Sequence, residues 1–212
     1  MMNLSFDDTE VAFAHKSKAD LKKAYSLFQA FSYPALVKYG PSMANFALSL
    51  GLPIKGLIKS TIFHQFCGGE TIEGSNPSAL ELYENGIGAI LDFSVEGEGS
   101  SASYEATFKE LSKVIVEAAN KPEYPFAVFK CSGIGEFSVL EKASTGESLS
   151  NDENEQLQLF KKRVGALCKL ASENNVKLLV DSEESWIQEA VDEVTYENIE
   201  LYNQEKAVVY NT

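Results

Sequence analysis

The sequence predicts an α/β fold, with a helical lead-in over residues 1–86 followed by four βα units whose strands form a parallel sheet. Three observations predict it. Four short apolar runs each finish on a polar or ionisable residue, namely Asp92, Lys130, Asp181 and Asn211. Stretches with apolar residues at helical intervals separate the runs, and that alternation is the pattern of parallel strands joined by crossover helices. The runs are apolar at successive positions, as expected when helices cover one face of a sheet and a packed interior covers the other. A small open sheet and the first half of an eight-stranded barrel both satisfy the pattern, and periodicity leaves both open. The fourth run ends just before Thr212, so the unit that should follow it is absent and the fold reads as cut short.

The lead-in is helical because Leu21, Ala24, Tyr25, Phe28 and Phe31, then Leu36, Met43, Phe46, Ala47 and Leu50, recur at helical spacing. Breaks are expected at Tyr33-Pro34, Gly40-Pro41 and Gly51-Leu52-Pro53. Asn76 before Pro77 reads as an N-cap with proline at the first helical position, and Asn85-Gly86 as the stop, which predicts a helix over 77–85. The first strand is expected over 87–95. A helix over 103–120 then places Tyr104, Phe108, Leu111, Val114, Ile115 and Ala118 on one face. The second strand, 126–130, is followed by a connection over 132–152 that is too long for an ordinary βα loop. With a short helix at 137–143 and a polar tip at 144–150, it reads as a lid over the strand ends. Helices over 155–174 and 186–202 feed the third and fourth strands.

Composition narrows the function classes. The 31 acidic against 18 basic residues give a formal charge of -13, which repels nucleic acid phosphates and sets nucleic-acid binding aside. Three cysteines, Cys67, Cys131 and Cys168, fit reduced thiols better than a disulfide framework and point to an intracellular location. The acidic start shows neither a secretory signal nor an Arg-rich presequence, and no run approaches a membrane span. His64 and Cys67 have a tempting spacing, but with two histidines in the chain and no second cysteine pair, no metal site is predicted.

The strand-end residues are the candidates for chemistry, because α/β folds place their sites at the carboxyl ends of parallel strands. Lys130 follows Phe126-Ala127-Val128-Phe129, so a buried strand delivers its ammonium. Structural pairing with a carboxylate, anion binding and Schiff-base catalysis in an aldolase-like barrel are all open to it. Asp92 and Asp181 would flank it if strand order follows sequence order. Glu183 and Glu184 read equally as the acidic first turn of the next helix. Asn211 offers an amide for a heterocycle edge. Cys131, next to Lys130, is expected in the core by alternation. An open sheet edge would also suit a non-catalytic module that pairs with another chain.

Five strings in order, Phe66-Cys67-Gly68-Gly69-Glu70, Leu91-Asp92-Phe93-Ser94-Val95-Glu96-Gly97-Glu98, Phe126-Ala127-Val128-Phe129-Lys130, Val180-Asp181-Ser182-Glu183-Glu184-Ser185-Trp186 and Val209-Tyr210-Asn211-Thr212, resemble the proline dehydrogenase family across essentially the whole chain. The resemblance implies a distorted (βα)8 TIM-type barrel, of which 87–212 would be the first half. It implies FAD as cofactor and oxidation of L-proline to Δ1-pyrroline-5-carboxylate, with electrons passing to a quinone or other acceptor. By position it makes Lys130 the anchor of the substrate carboxylate, Asp181 an active-site acid and Asp92 a supporting residue. Ser182 would meet the flavin through its backbone, and Asn211 would stand where many members have a flavin-bonding glutamine. The family's later arginines match nothing in this chain, which is therefore expected to be weakly active or inactive alone. The resemblance also implies a cytoplasmic protein, peripheral at the inner membrane through the missing part and open to association along its barrel edge.

Overall fold

The computed structural model describes residues 7–93 and 99–212. The chain divides into two compact units, Met1–Ser78 and Ala79–Thr212.

The described part of the first unit is helical. After α1 (Thr9–Ala12), Ser17 caps α2 (Lys18–Ala30) by accepting the Asp20 amide at 3.2 Å. Pro34 opens α3 (Pro34–Ser49), where its missing N–H and fixed φ suit the first turn. The break expected at Gly40-Pro41 does not occur, and α3 runs through it. A proline normally drives the preceding residue out of the helix by clashing with its Cβ, and Gly40 has none. Gly51, with φ of 73°, turns the chain after α3. α4 (Lys55–Ile58), a π turn (Lys59–Phe63) and α5 (His64–Phe66) follow as a continuous run. The rings of Phe28, Phe31 and Phe66 meet with centroids 5.8, 6.1 and 6.4 Å apart, yet none of the unit's described residues is buried.

The helix expected to begin at Pro77 begins instead at Ile72, forming α6 (Ile72–Glu84). Thr71 supplies its cap, with Oγ1 accepting the Gly74 N–H at 3.0 Å. Asn76-Pro77 therefore lies inside the helix, where the proline forfeits the bond to the Glu73 carbonyl. A Cβ on Gly69 would stand 2.6 Å from the backbone of Gly74 and Ser75, so only glycine lets this turn lie against the start of α6.

In the second unit, β1 (Ile90–Leu91), β2 (Phe126–Lys130), β3 (Leu178–Asp181) and β4 (Val209–Asn211) form one parallel sheet in the order β1-β2-β3-β4. β1 is shorter than the expected 87–95. Its ladder starts at Ile90 opposite Phe126, because Pro125, just before Phe126, has no N–H to donate and its ring packs on Gly88, where a Cβ would approach to 2.7 Å. The expected far end, Ser94 and Val95, lies outside the described residues.

Helices α7 (Ser101–Ala118), α9 (Asn151–Asn174) and α10 (Gln188–Tyr202) follow the strands in turn. Capping boxes at Ser100/Ser103 and Ser150/Glu153 fix the starts of α7 and α9, the second one turn earlier than the apolar spacing indicated. Alternation sorts the strands into two faces. Ala127, Phe129, Leu178, Val180 and Val209 share one parity and are buried, as are Val114, Ile115, Val164, Leu167, Val191 and Val194 of the helices. Each such large side chain is worth about 1.5–3 kcal/mol when fully buried. On the opposite parity Ile90 stays 42% exposed, while Phe126, Leu179 and Tyr210 are half-buried.

The connection after β2 is a core element and not a lid. Its helix, α8 (Phe137–Thr145), buries Val139 and Leu140, and Gly135 brings the backbone so close to Phe160 that a Cβ would lie 2.6 Å from the ring. Those apolar contacts hold it in place.

Candidate active site

The carboxyl ends of β2 and β3 meet in register, with Lys130 directly beside Asp181. Parallel strands in register point paired residues to the same face, so ammonium and carboxylate share the less covered face of the sheet. Leu91 pairs with Ala127, which sets exposed Asp92 at the level of Val128, below Lys130 along the strand. Sequence order thus places the three on adjacent strands, with Asp181 level with the lysine and Asp92 set back.

Lys130 keeps 19% of its side chain exposed, and its Nζ lies 2.9 Å from Glu183 Oε1. Glu183 follows β3 by two residues and was legible in sequence only as an acidic first turn. Its role as partner of Lys130 depends on the loop between β3 and the short 3-10 turn Ser185–Ile187, which swings the carboxylate over the strand ends.

Thr212 ties β4 to β3. Its Oγ1 accepts the Ser182 N–H at 2.9 Å and lies 3.2 Å from Asp181 Oδ1 and 3.3 Å from the Val180 carbonyl, either of which can take its proton. This hydroxyl fixes the backbone at Asp181-Ser182, a role that no sequence signal announced. Ser182 Oγ is buried and has no hydrogen-bond partner among the described residues, although a buried hydroxyl without one is costly. Asn211 has the parity of the helix-covered face, and its Nδ2 donates to Asp192 Oδ1 of α10 at 2.6 Å. Gln188 Nε2 holds the same carboxylate oxygen at 2.7 Å. Lys130, Asp181, Ser182 and Thr212 are therefore brought together, while the Asn211 amide is turned to α10.

Behind the rim, Glu136 accepts the Tyr104 hydroxyl at 2.9 Å, and burial together with this bond pushes the phenol up to about 12. Arg163 lies 5.9 Å over the Tyr104 ring and donates to the Ile134 carbonyl at 3.0 Å. These contacts pin the segment after β2 to α7 and α9. Cys131 is buried, and desolvation, with lesser contributions from Cys168, Glu184 and Asp181, raises its thiol far above the usual range. Burial likewise pushes Cys168 up to about 12. Neither is a thiolate at neutral pH, so the rim offers charge, hydroxyl and amide but no sulfur nucleophile. Among the described residues, no group of three His, Cys, Asp or Glu side chains could hold a metal ion, and no helix is long and apolar enough to cross a membrane.

A positive group and a carboxylate side by side over an apolar floor suit a zwitterionic amino acid with an apolar body.

Comparison with known proteins points the same way. The family model described as proline dehydrogenase matches residues 76–212. Proline dehydrogenase 1, mitochondrial, of Dictyostelium discoideum is 27% identical over 97% of this chain and 43% of its own length. Hydroxyproline dehydrogenase of Xenopus laevis is 24% identical over 99% of this chain and 52% of its own. Among solved structures, proline utilization A of Bdellovibrio bacteriovorus inactivated by N-propargylglycine aligns over all of this chain and 23% of its own, at a TM-score of 0.61 and 14% identity. The chain spans about half the length of the curated relatives it matches.

Proposed function

Because the chain belongs to the proline dehydrogenase family, we propose that its strand-end rim is the substrate end of an FAD-dependent site that oxidises L-proline to Δ1-pyrroline-5-carboxylate. The observation that carries this is the in-register pair of Lys130 and Asp181 on the less covered face. On this reading the four parallel strands of 87–212 are the first half of a (βα)8 barrel, and the rest of the rim comes from the strands that complete it.

FAD, when bound, supplies the acceptor for the hydride leaving the carbon next to the proline nitrogen. The residues of this chain bind and orient. Lys130 neutralises the substrate carboxylate, exchanging Glu183 for it, and a lysine does this as a compact point charge. Asp181, held by the Thr212 hydroxyl, faces the ring nitrogen and favours the cationic amine on arrival. Half-buried Leu179 and, beside it in register, Val128 form an apolar floor for the ring methylenes and exclude water. Fixing substrate and acceptor face to face removes most of the entropic cost of their encounter. Ser182 meets the flavin edge through its backbone, while Asn211, the other residue expected there, stands on the face covered by α10 and braces β4 through Asp192. Asp92 supports the rim from β1.

The electron acceptor is a quinone or another carrier, reached by peripheral membrane contact outside the strands described, and the protein works in the cytoplasm or at the inner membrane face. No observation favours a Schiff-base aldolase or a purely non-catalytic module.

The test is flavin absorbance on the purified chain, alone and co-expressed with the remaining strands of a family barrel. Flavin that co-purifies with the completed barrel and bleaches on anaerobic addition of L-proline supports the reading. Absence of flavin from both preparations, or flavin indifferent to proline, would sink it.

A further inference from the structure

At the opposite, amino-terminal end of the sheet lies a cavity of about 640 Å³, within the range of small-molecule sites. Its walls include Lys121, Lys177 and Lys206, and none of its lining residues is acidic. That is unexpected in a chain with 31 Asp and Glu against 18 Lys and Arg. Within 79–212 nearly every other cation is paired with a carboxylate, from Lys109 to Lys169. Among the described residues, Lys177 and Lys206 are not. Lys206 Nζ donates to the Asn175 side chain, and Lys177 Nζ stands 5.1 Å over the Phe126 ring. Lys121 is held by Glu117, which is not part of the cavity wall.

The backbone shows why the lysines converge. Asn120 and Asn175 follow α7 and α9 in the left-handed region, with φ of 61° and 57°, and turn the chain from each helix back toward the next strand. The residues just beyond, Lys121 and Lys177, line the cavity. Lysines near helix ends often serve the helix dipole. Here α7, α9 and α10 carry no basic residue in their last turns, and Lys121, Lys177 and Lys206, each just past one of those helix ends, also offset the dipoles; what sets them apart is that they line one cavity with no acidic residue in its wall.

We propose that this cavity binds a small molecule bearing a diphosphate. Two ammonium groups without carboxylate partners, with a third alongside, match several adjacent negative charges better than one carboxylate. The side chains of Asn120 and Asn175 add hydrogen-bonding groups, and Tyr210 offers an aromatic wall for whatever body carries the phosphates. The site lies at the end of the sheet away from Lys130 and Asp181 and does not depend on the activity assigned to them.

Isothermal titration of the full chain at low salt, with pyrophosphate and with ADP as probes, tests this. At least one probe should bind saturably, and Lys177→Gln/Lys206→Gln should weaken it by about tenfold or more per lysine removed. Which probe binds identifies the source, inorganic diphosphate or nucleotide. Lys162→Gln, which removes the other cation of 79–212 with no carboxylate partner among the described residues, should leave binding unchanged. Because Lys177 and Lys206 are exposed, the double variant should melt as the parent does. If it does not, Lys206→Gln alone carries the comparison. No saturable binding by either probe, equal affinity in the double variant, or an equal loss in Lys162→Gln would overturn the proposal.

Discussion

Replacing Lys130 by methionine should separate binding from stability. The side chain sits at the end of a buried strand, and its Nζ lies 2.9 Å from Glu183 Oε1. Lys130 retains 19% and Glu183 44% of its exposure, so solvent screens the pair and its share of folding stability is about 1 kcal/mol or less. Methionine keeps the apolar stem against the sheet and frees Glu183 to water, so the urea midpoint of Lys130→Met should move little. Binding is another matter. A charge-assisted contact to a substrate carboxylate is worth about 1.5–3 kcal/mol. Its loss corresponds to about 10- to 150-fold in the proline concentration that half-reduces the flavin of the completed barrel. Equilibrium denaturation and anaerobic flavin reduction measure the two effects on the same protein. A fall in stability of about 3 kcal/mol, with proline dependence unchanged, would show that the lysine serves the fold and would refute the reasoning.

Three further outcomes follow from the packing and charges. Gly135→Ala would press a methyl to 2.6 Å from the Phe160 ring and 3.3 Å from Leu140, costing about 1–3 kcal/mol in urea unfolding; an unchanged midpoint would mean that the segment after β2 yields freely. Lys142, then the backbone and side chain of Ser150, hold the Glu153 carboxyl down to about 2, below its ordinary 4.5. A depressed carboxyl stabilises fully above its unfolded value and loses that contribution as pH falls through its folded one, so Glu153→Gln should flatten the stability–pH curve between these two values and leave its slope around neutral pH untouched. Exposed Cys67 should react with a thiol reagent at once, whereas buried Cys131 and Cys168 should react only on unfolding; fast labelling of all three in the native protein would contradict the core described.

How legible the fold was in the sequence depended on how local its causes are. Strands β2 to β4 were legible because a buried parallel strand is a short continuous apolar run, and Lys130, Asp181 and Asn211 end theirs where the runs indicated. The start of α6 was not, because Thr71 looks like any polar residue before Gly74, while Asn76-Pro77 mimics a stronger start. The run through Gly40-Pro41 turns on the missing Cβ of the glycine, a steric detail that a breaker rule passes over. In the site, the residue types were visible but their partners were not. Glu183 reaches Lys130 through a loop, and Thr212 spans from β4 to β3, contacts that only tertiary structure creates. Asn211 reads as a strand-end group facing a site, yet an even register sets it toward α10 and Asp192. The converging lysines at the other end of the sheet are scattered along the chain and carry no spacing signal at all.

The central claim is that Lys130 and Asp181 receive a cyclic amino acid at the carboxyl end of the sheet. A crystal structure of the FAD-loaded, completed barrel with a proline analogue that cannot be oxidised tests it most directly. The analogue's carboxylate is expected within hydrogen-bond distance of Lys130 Nζ, its ring over Val128 and Leu179, and Glu183 displaced from the lysine. An analogue bound elsewhere, with Lys130 still on Glu183, would contradict it.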